Sequence, residues 1–190
     1  MSRMLRWTVL VLLVVVGACA NPSPDLISSE GSAALPTPIA CADVVDPPQA
    51  DVLAFFHCAG AELDDPRPVA RRSAADDATA RLDAAVRGLL AGPTQAEREA
   101  GYISLFSEQT ALGLVGVEIG PDGLAVVDFA DLRMVLNNAS TSSGSQILLA
   151  QLSATVFQIE EVTAVEYRIH GSCATFWEWL QSMCAVIPRP

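Results

Sequence analysis

The stretch LGLVGVEIGPDGLAVVDF, residues 112–129, decides the fold of this 190-residue chain. Two apolar runs, residues 112–119 and 124–129, are separated by Gly120-Pro121-Asp122-Gly123. Glycine, proline and aspartate favour tight turns, and two apolar runs joined by such a turn are typical of a β-hairpin. The sequence therefore predicts two antiparallel strands near the centre of the chain.

Residues with helical spacing lie on both sides of this hairpin. A helix is predicted over residues 78–90, where Gly92-Pro93 ends it and the apolar face holds Leu82, Val86, Leu89 and Leu90. A second helix is predicted over residues 146–158, with apolar Ile147, Leu148, Leu152, Val156 and Phe157. Both helices have one apolar face, so both are expected to pack against a core.

Two further apolar runs of strand length enclose this pattern. The first covers residues 51–58, and the second covers residues 164–169 and stops before Gly171. The predicted order is therefore β-α-β-β-α-β. This order predicts an α+β fold with an antiparallel or mixed sheet and two packed helices.

Three segments of this pattern carry a family resemblance. The first is LLAGPT at residues 89–94, followed by EREAG at 97–101, and the second is VVDF at 126–129. The third runs from residue 149 through 156 and continues with VTAVEY and Gly171. In this order and spacing the segments resemble the sporulation and spore germination domain, called GerMN, over roughly residues 51–171.

The resemblance implies an extracytoplasmic α+β module of envelope lipoproteins and germination proteins. Such modules are thought to bind or scaffold other molecules, and the family has no known catalytic residues. This chain departs from the family pattern in VVDFAD at residues 126–131, where the family more often has Leu-Ser after the aspartate, and in its cysteine-bearing tail. The departures leave the expected fold unchanged but weaken any transfer of a partner.

The tail, residues 172–190, contains a short aromatic segment. Phe176, Trp177 and Leu180 share one helical face, which predicts a short C-terminal helix that packs on the sheet. An exposed aromatic binding patch is the alternative.

The N-terminus has the pattern of a bacterial lipoprotein signal. Arg3 and Arg6 precede the apolar run 7–16, and small residues lead directly to Cys19. This run is too short to span a membrane comfortably, and the small residues before Cys19 resemble a lipobox. We expect residues 1–18 to be a signal peptide, with diacylglycerol on the Cys19 thiol. An incidental cysteine in an ordinary signal peptide, or an uncleaved anchor, is the alternative.

Residues 19–50 are rich in proline, serine and short polar residues without apolar periodicity. Such a composition cannot bury enough surface to offset the entropy lost on ordering. We therefore predict a flexible tether between the anchor and a domain at residues 51–171.

Four cysteines follow Cys19, namely Cys41, Cys58, Cys173 and Cys184. An even number in a secreted chain predicts two disulfides, and the absence of a C-x-x-C pair argues against zinc. In a split β-α-β arrangement the first and last strands would be neighbours. This arrangement favours Cys41 with Cys173 and Cys58 with Cys184. The local pairing, Cys41 with Cys58 and Cys173 with Cys184, is favoured instead if the tail is a loop.

The charge of the chain excludes some partners. Without residues 1–18, which hold two arginines and no acid, 9 basic and 22 acidic residues remain, a net charge of about −13. Such a surface repels nucleic acids and anionic headgroups. We therefore expect no nucleic-acid partner.

The sequence offers little catalytic machinery. The two histidines, His57 and His170, are far apart in the chain, and the G-x-S-x-G, H-E-x-x-H and Walker-type motifs are absent. The loop from Ser140 to Ser145 is best interpreted as a helix entry. We predict that the protein is not an enzyme and that it needs no cofactor or metal.

Two functional hypotheses follow. The first is a lipid-anchored interaction or scaffold module on the outer face of the cytoplasmic membrane, which binds an envelope protein or cell-wall component. The second is a small-ligand binding protein or hydrolase with a cleft near Ser140, Ser145 and His170. A concave site with converging polar groups would favour the second hypothesis.

Overall fold

The computed structural model describes Cys41 and residues 52–190. The predicted signal peptide, Cys19 and most of the predicted tether lie outside the described residues. The strands are β1 (Val52–Cys58), β2 (Arg67–Arg71), β3 (Tyr102–Ile103), β4 (Leu114–Ile119), β5 (Leu124–Phe129), β6 (Ala164–Ile169) and β7 (Val186–Pro188). The helices are α1 (Ala78–Leu90), α2 (Gln95–Glu99), α3 (Ser142–Phe157) and α4 (Cys173–Trp179).

The described strands form two sheets. One has the order β2-β1-β3 with antiparallel pairing, and the other has the order β4-β5-β6-β7. In the second sheet β5 and β6 are parallel, whereas β4 and β7 pair antiparallel to their neighbours. We call this second sheet the mixed sheet. The prediction of an α+β fold with a mixed sheet and packed helices is confirmed.

The β4–β5 hairpin forms where the sequence predicts it. The Gly120 N–H donates to the Leu124 carbonyl, and the Gly123 N–H donates to the Gly120 carbonyl. Gly123 has φ +81, a conformation that costs a residue with a side chain much more than it costs glycine. The turn therefore depends on the glycine that follows Asp122.

Capping residues set the ends of the two long helices. Asp77 accepts the Ala80 N–H before α1, and Thr141 accepts the Gly144 N–H before α3. Because Thr141 is the cap, α3 begins at Ser142, four residues before the predicted start.

The core lies between the helices and one face of the mixed sheet. Helices α1 and α3 contact each other and β1, while α4 packs on β6. Alternate residues of β5 and β6 are buried on this covered face, namely Ala125, Val127, Phe129, Val165, Tyr167 and Ile169. Phe176 of α4 is 2% exposed and lies 5.2 Å from the Tyr167 ring, centroid to centroid. The tail aromatics pack on the sheet, as predicted, and do not form an exposed patch.

The favoured disulfide pairing is wrong. The structure joins Cys41 to Cys58 and Cys173 to Cys184, with Cα–Cα distances of 5.5 and 5.4 Å. The first and last predicted strands, β1 and β6, belong to different sheets, so they are not neighbours.

The C-terminal helix is short, as predicted, and the chain turns back after it. Helix α4 stops at Trp179, and Gln181 has φ +60, which turns the chain back. This turn brings Cys184 to Cys173, and β7 then adds a strand beside β6.

Candidate functional site: an open sheet face

The face of the mixed sheet opposite the core carries no fully buried side chain along β5 or β6. On this face Val126, Asp128, Glu166 and Arg168 are half-buried, and Glu118 of the neighbouring β4 is exposed. We call this side the outer face. The pairing register aligns Gly116, Asp128 and Arg168 in one row across three strands. Backbone alternation therefore divides the sheet into a core face and an open, partly charged face.

A depression of about 300 Å³ lies on the outer face. Its lining residues are Val115, Gly116, Val117, Glu118, Val126, Asp128 and Arg168. A Cβ atom added at Gly116 would meet no other atom within 4 Å, so the space above this residue is open. The depression exists because the strand has no side chain at this position.

Acidic groups outnumber the basic group on the outer face. Glu118, Asp128 and Glu166 lie there with Arg168. Arg168 donates from Nε to Oε1 of Glu166 at 2.5 Å, while Oδ1 of Asp128 accepts the Gly171 N–H at 2.9 Å. The face therefore presents an excess of negative charge beside exposed Val115.

A second concavity, a cleft of about 590 Å³, lies beside α2 and the loop that follows β3. The apolar part of its lining is formed by Pro93, Tyr102, Ile103 and Phe106, and its polar part by Arg98, Ser104, Ser107, Glu108 and Gln109. Arg98 donates from Nη1 to the Pro93 carbonyl, which holds its guanidinium against α2's entry. The lining of the cleft thus combines apolar side chains with one cation, Arg98, and one anion, Glu108.

An ion pair that is largely buried joins α2 to β2. Arg71 donates to both carboxylate oxygens of Glu97, at 2.7 and 2.8 Å, and its guanidinium lies 5.3 Å from the Phe56 ring centroid. Burial raises the pKa of Glu97, but hydrogen bonds from Arg71 and Thr94 outweigh it and hold that pKa below its usual 4.5. Glu97 is therefore a charged structural residue.

The same carboxylate completes the start of α2. Thr94 accepts the Glu97 N–H, and Glu97 accepts the Thr94 N–H at 2.8 Å, which together form a capping box. Helix α2 was not predicted from the sequence, although Thr94 and Glu97 have the T-x-x-E spacing that signals such a start.

The serine- and threonine-rich loop that begins at Ser140 caps the start of α3. Thr141 accepts the Gly144 N–H, and Ser145 donates to the Ser142 carbonyl. A Cβ atom at Gly144 would lie 1.9 Å from the Asn138 carbonyl oxygen, so the loop is closely packed here. The depression and the cleft described above are lined by other residues, and neither contains Ser140, Ser145 or His170.

His170 lies in the turn between β6 and α4. It has φ +49, its N–H donates to the Phe129 carbonyl, and its side chain is exposed. The Ser140 carbonyl accepts the Gln181 side chain at 2.9 Å, and Gln181 follows α4, whereas His170 precedes it. The tail aromatics Phe176 and Trp177 are buried in the core.

His57, the other histidine, is 2% exposed in β1. Burial lowers the pKa of its imidazole below 6.5, against the opposing effects of the Leu63 backbone and the Asp65 and Asp64 carboxylates. It lies beside Cys58 in the core, so it is a structural histidine here.

Within residues 52–190 no group of three or more His, Cys, Asp or Glu side chains is placed to hold a metal ion. In the same part of the chain, none of the helices is long and apolar enough to cross a membrane.

The family match places the domain in a known class of proteins. Residues 59–173 match the Germane family, described as sporulation and spore germination. This match covers more than half of the chain, so the chain belongs to the Germane family. The resemblance read from the sequence is confirmed.

Solved structures of low similarity also match. A candidate lipoprotein from Clostridium perfringens is 14% identical, with a TM-score of 0.44 over 78% of this chain and 93% of that one. The first GerMN domain of the sporulation protein GerM from Bacillus subtilis is 17% identical, with a TM-score of 0.41 over 63% of this chain and 84% of that one. A search of curated proteins found no match.

The segments that carried the resemblance have structural roles in this fold. Leu89 and Leu90 are fully buried, and a Cβ atom at Gly92 would lie 2.5 Å from the Phe106 carbonyl oxygen. Asp128 of the VVDF segment holds the Gly171 N–H, which ties β5 to the turn after β6. The residues that define the family therefore account for the fold of the domain.

Proposed function

We propose that this protein is a non-enzymatic, lipid-anchored interaction module of the bacterial cell envelope. The Cys19 anchor would hold it on the outer face of the cytoplasmic membrane, and residues 19–50 would give the domain reach. The domain would then bind a membrane or cell-wall protein. Two features support the proposal. The family has no known catalytic residues, and the N-terminus resembles a lipobox.

The single observation that carries the proposal is the open outer face of the mixed sheet. Its residues present half-buried Val126, exposed Val115 and an excess of carboxylates around a depression of about 300 Å³. Small-molecule sites are mostly apolar cavities of about 300–1,000 Å³. The depression lies at the small end of this range, and three of its lining side chains, Glu118, Asp128 and Arg168, are charged. A broad face that mixes apolar and charged groups suits a macromolecular partner better.

The test is to crosslink living cells that carry a tagged wild type or the Cys19→Ala variant, then fractionate the membranes and identify captured proteins by mass spectrometry. The proposal predicts discrete membrane or wall-synthesis partners that are lost with Cys19→Ala. A wild type that is soluble and secreted would contradict lipid anchoring. Membrane-bound protein without partners would favour the second candidate function.

That second candidate is a small-ligand binding protein or hydrolase. The cleft beside Tyr102, Ile103 and Phe106 favours it, because about 590 Å³ lies within the usual range of ligand pockets. The site differs from the one that the sequence suggested near Ser140 and His170. Arg98→Ala should abolish ligand binding if the cleft is the site, and it should leave partner capture unchanged if the outer face is.

A further inference from the structure

Strand β4 is an edge of the mixed sheet, since β5 is its only strand neighbour among the described residues. The Gly120 N–H donates to the Leu124 carbonyl, so Gly120 and Leu124 are a hydrogen-bonded pair. Hydrogen-bonded and non-hydrogen-bonded pairs alternate along an antiparallel ladder, so the backbone groups of Glu118 and Gly116 also point toward β5. The backbone N–H and C=O groups of Val117 and Ile119 therefore point away from the sheet.

The sequence of β4 lacks two devices that natural sheets use to protect an edge, although helix α1 contacts this strand. Exposed edges are commonly blocked by lysine, proline or a covering element. Strand β4 has the sequence LVGVEI, with neither lysine nor proline, and its exposed residues are Val115 and Glu118. Val115 is 57% exposed at a shift in register between Leu114 and Gly116. The edge therefore offers backbone groups and an apolar side chain to an incoming strand.

The outer face beside this edge indicates which strand would fit. A strand added to β4 would place one of its side chains next to Gly116, and beyond Gly116 lies Asp128. Neighbouring strands are about 4.8 Å apart, so a long side chain could cross the open space over Gly116 and approach Asp128. Glu118 lies next along the same face. Arg168, the register partner of Asp128, is bonded to Glu166. Glu118 and Asp128 beside the open space therefore complement a further arginine or lysine.

We infer that β4 is the docking edge for an extended, basic segment of the envelope partner, and this inference rests on the proposed function. The segment would pair with Val117 and Ile119 by backbone hydrogen bonds, as in other cases of strand addition. One of its cationic side chains would lie over Gly116 between Glu118 and Asp128. A second copy of this acidic chain would bring carboxylates toward carboxylates, so charge favours a basic partner.

Two substitutions of Gly116 distinguish a specific loss of docking at the β4 edge from a general effect of mutation at this position. Gly116 has no positive φ and open space at its Cβ, so Gly116→Ala and Gly116→Arg should both fold. Gly116→Ala leaves the space largely open, whereas Gly116→Arg fills it with a cation that repels a basic segment. Glu118→Lys repels the same segment from a second position and serves if Gly116→Arg is poorly folded.

The experiment is site-specific photo-crosslinking of the full chain in living cells, with the photoreactive residue at Val115 and, separately, at Gln95 on α2. We expect Val115 crosslinks to map by mass spectrometry to a partner segment that contains arginine or lysine. Gly116→Ala should retain this yield, while Gly116→Arg and Glu118→Lys should lower it at least about tenfold, because like charges at an interface cost several kcal/mol.

The outcomes distinguish this inference from the proposed function. Crosslinks to a second copy of the chain, or a Val115 yield that Gly116→Arg and Glu118→Lys leave unchanged, would overturn the inference. Partner crosslinks from Gln95 with none from Val115 would overturn the docking edge but keep the interaction module. A third outcome is that neither Val115 nor Gln95 gives crosslinks and that the tagged chain captures no protein by general crosslinking in the same cells. This outcome would overturn both the docking edge and the interaction module.

Discussion

At the scale of single residues, the Arg71–Glu97 ion pair joins three parts of the fold. Arg71 ends β2, Glu97 lies in α2, and the guanidinium packs over Phe56 of β1. The side chains of Arg71 and Glu97 are only 17% and 5% exposed. Gly88 makes room for this arrangement, since a Cβ atom there would lie 2.8 Å from Cγ of Arg71. Removing one partner would leave the other charge buried.

Glu97→Gln is therefore expected to lower the free energy of unfolding by about 2–3 kcal/mol, because it leaves the Arg71 guanidinium without its anion. The control is Glu99→Gln, an exposed neighbour bonded to Gln95, which should change stability by no more than about 0.5 kcal/mol. Urea titration of each variant checks this prediction. Equal effects of the two substitutions would contradict the structural role of Glu97.

His57 is expected to make stability depend on pH. Its pKa is lowered from 6.5 in the folded state by burial, so the unfolded state binds the proton more readily. Its contribution is complete above about pH 6.5 and is lost as the pH falls toward the folded pKa. The slope that one such proton produces is at most about 1.4 kcal/mol per pH unit.

The measurement is the free energy of unfolding at pH 7 and pH 5.5 for wild type, His57→Gln and His170→Gln. His57→Gln should flatten the pH dependence, whereas exposed His170→Gln should leave it as in wild type. A wild-type slope that survives in His57→Gln would contradict the role of this histidine.

At the scale of elements, α3 completes the sheet that contains β1. Gln158, directly after α3, accepts the Leu53 N–H and donates to the Leu53 carbonyl, both at 2.6 Å, and Thr155 accepts the Phe55 N–H. Strand β3 pairs with β1 only at His57 and Cys58. Side chains from α3 thus satisfy backbone groups that the short strand does not reach.

Gln158→Ala should destabilise the fold by about 2–3 kcal/mol, because it leaves two part-buried backbone groups of β1 without partners. Gln146→Ala is the matched control, since Gln146 is an exposed glutamine in α3 and alanine favours helices. Thermal unfolding of both variants tests the difference. Hydrogen exchange at Leu53 should also become faster in Gln158→Ala alone.

The elements with clear periodicity could be predicted from the sequence. The bounds of α1 and β6 match the prediction, and both strands of the hairpin were predicted, because their apolar residues follow helical or alternating spacing. Strands β2, β3 and β7 were missed, because they have five residues or fewer and little apolar pattern. Strand β2 even contains Pro68, which usually argues against a strand.

The site was harder to predict because it depends on pairing between distant segments. Gly116, Asp128 and Arg168 are adjacent only through the register of β4, β5 and β6. The favoured disulfide pairing was wrong for the same reason, since it assumed that β1 and β6 share a sheet. Local spacing determines elements, whereas the partition of strands between sheets depends on long-range packing.

At the scale of the whole molecule, two local disulfides hold the two ends of the domain. One links Cys41 to the end of β1 across 17 residues, and the other closes an 11-residue loop in the tail. Arg189 fixes the tail further by donating to the Phe157, Ile159 and Val162 carbonyls. Cys41 is therefore joined covalently to the end of β1.

Removing either disulfide should lower stability by about 3 kcal/mol, the value expected for loops of this length. The pairs Cys41→Ser with Cys58→Ser, and Cys173→Ser with Cys184→Ser, test the two bridges separately without leaving a free thiol. Peptide mapping under non-reducing conditions should recover the two local pairs. Recovery of Cys41 with Cys173 would contradict the topology.

The central claim is that the domain acts as an interaction module because it is tethered to the membrane. The most direct measurement compares partner capture in cells by wild type, by Cys19→Ala, and by Cys19→Ala fused after an unrelated membrane-spanning helix. We expect strong capture by wild type, loss in Cys19→Ala, and recovery in the fusion, because any durable anchor supplies the required proximity. Equal capture by all three forms, or failure of the fusion to recover it, would contradict the proposed role of the anchor.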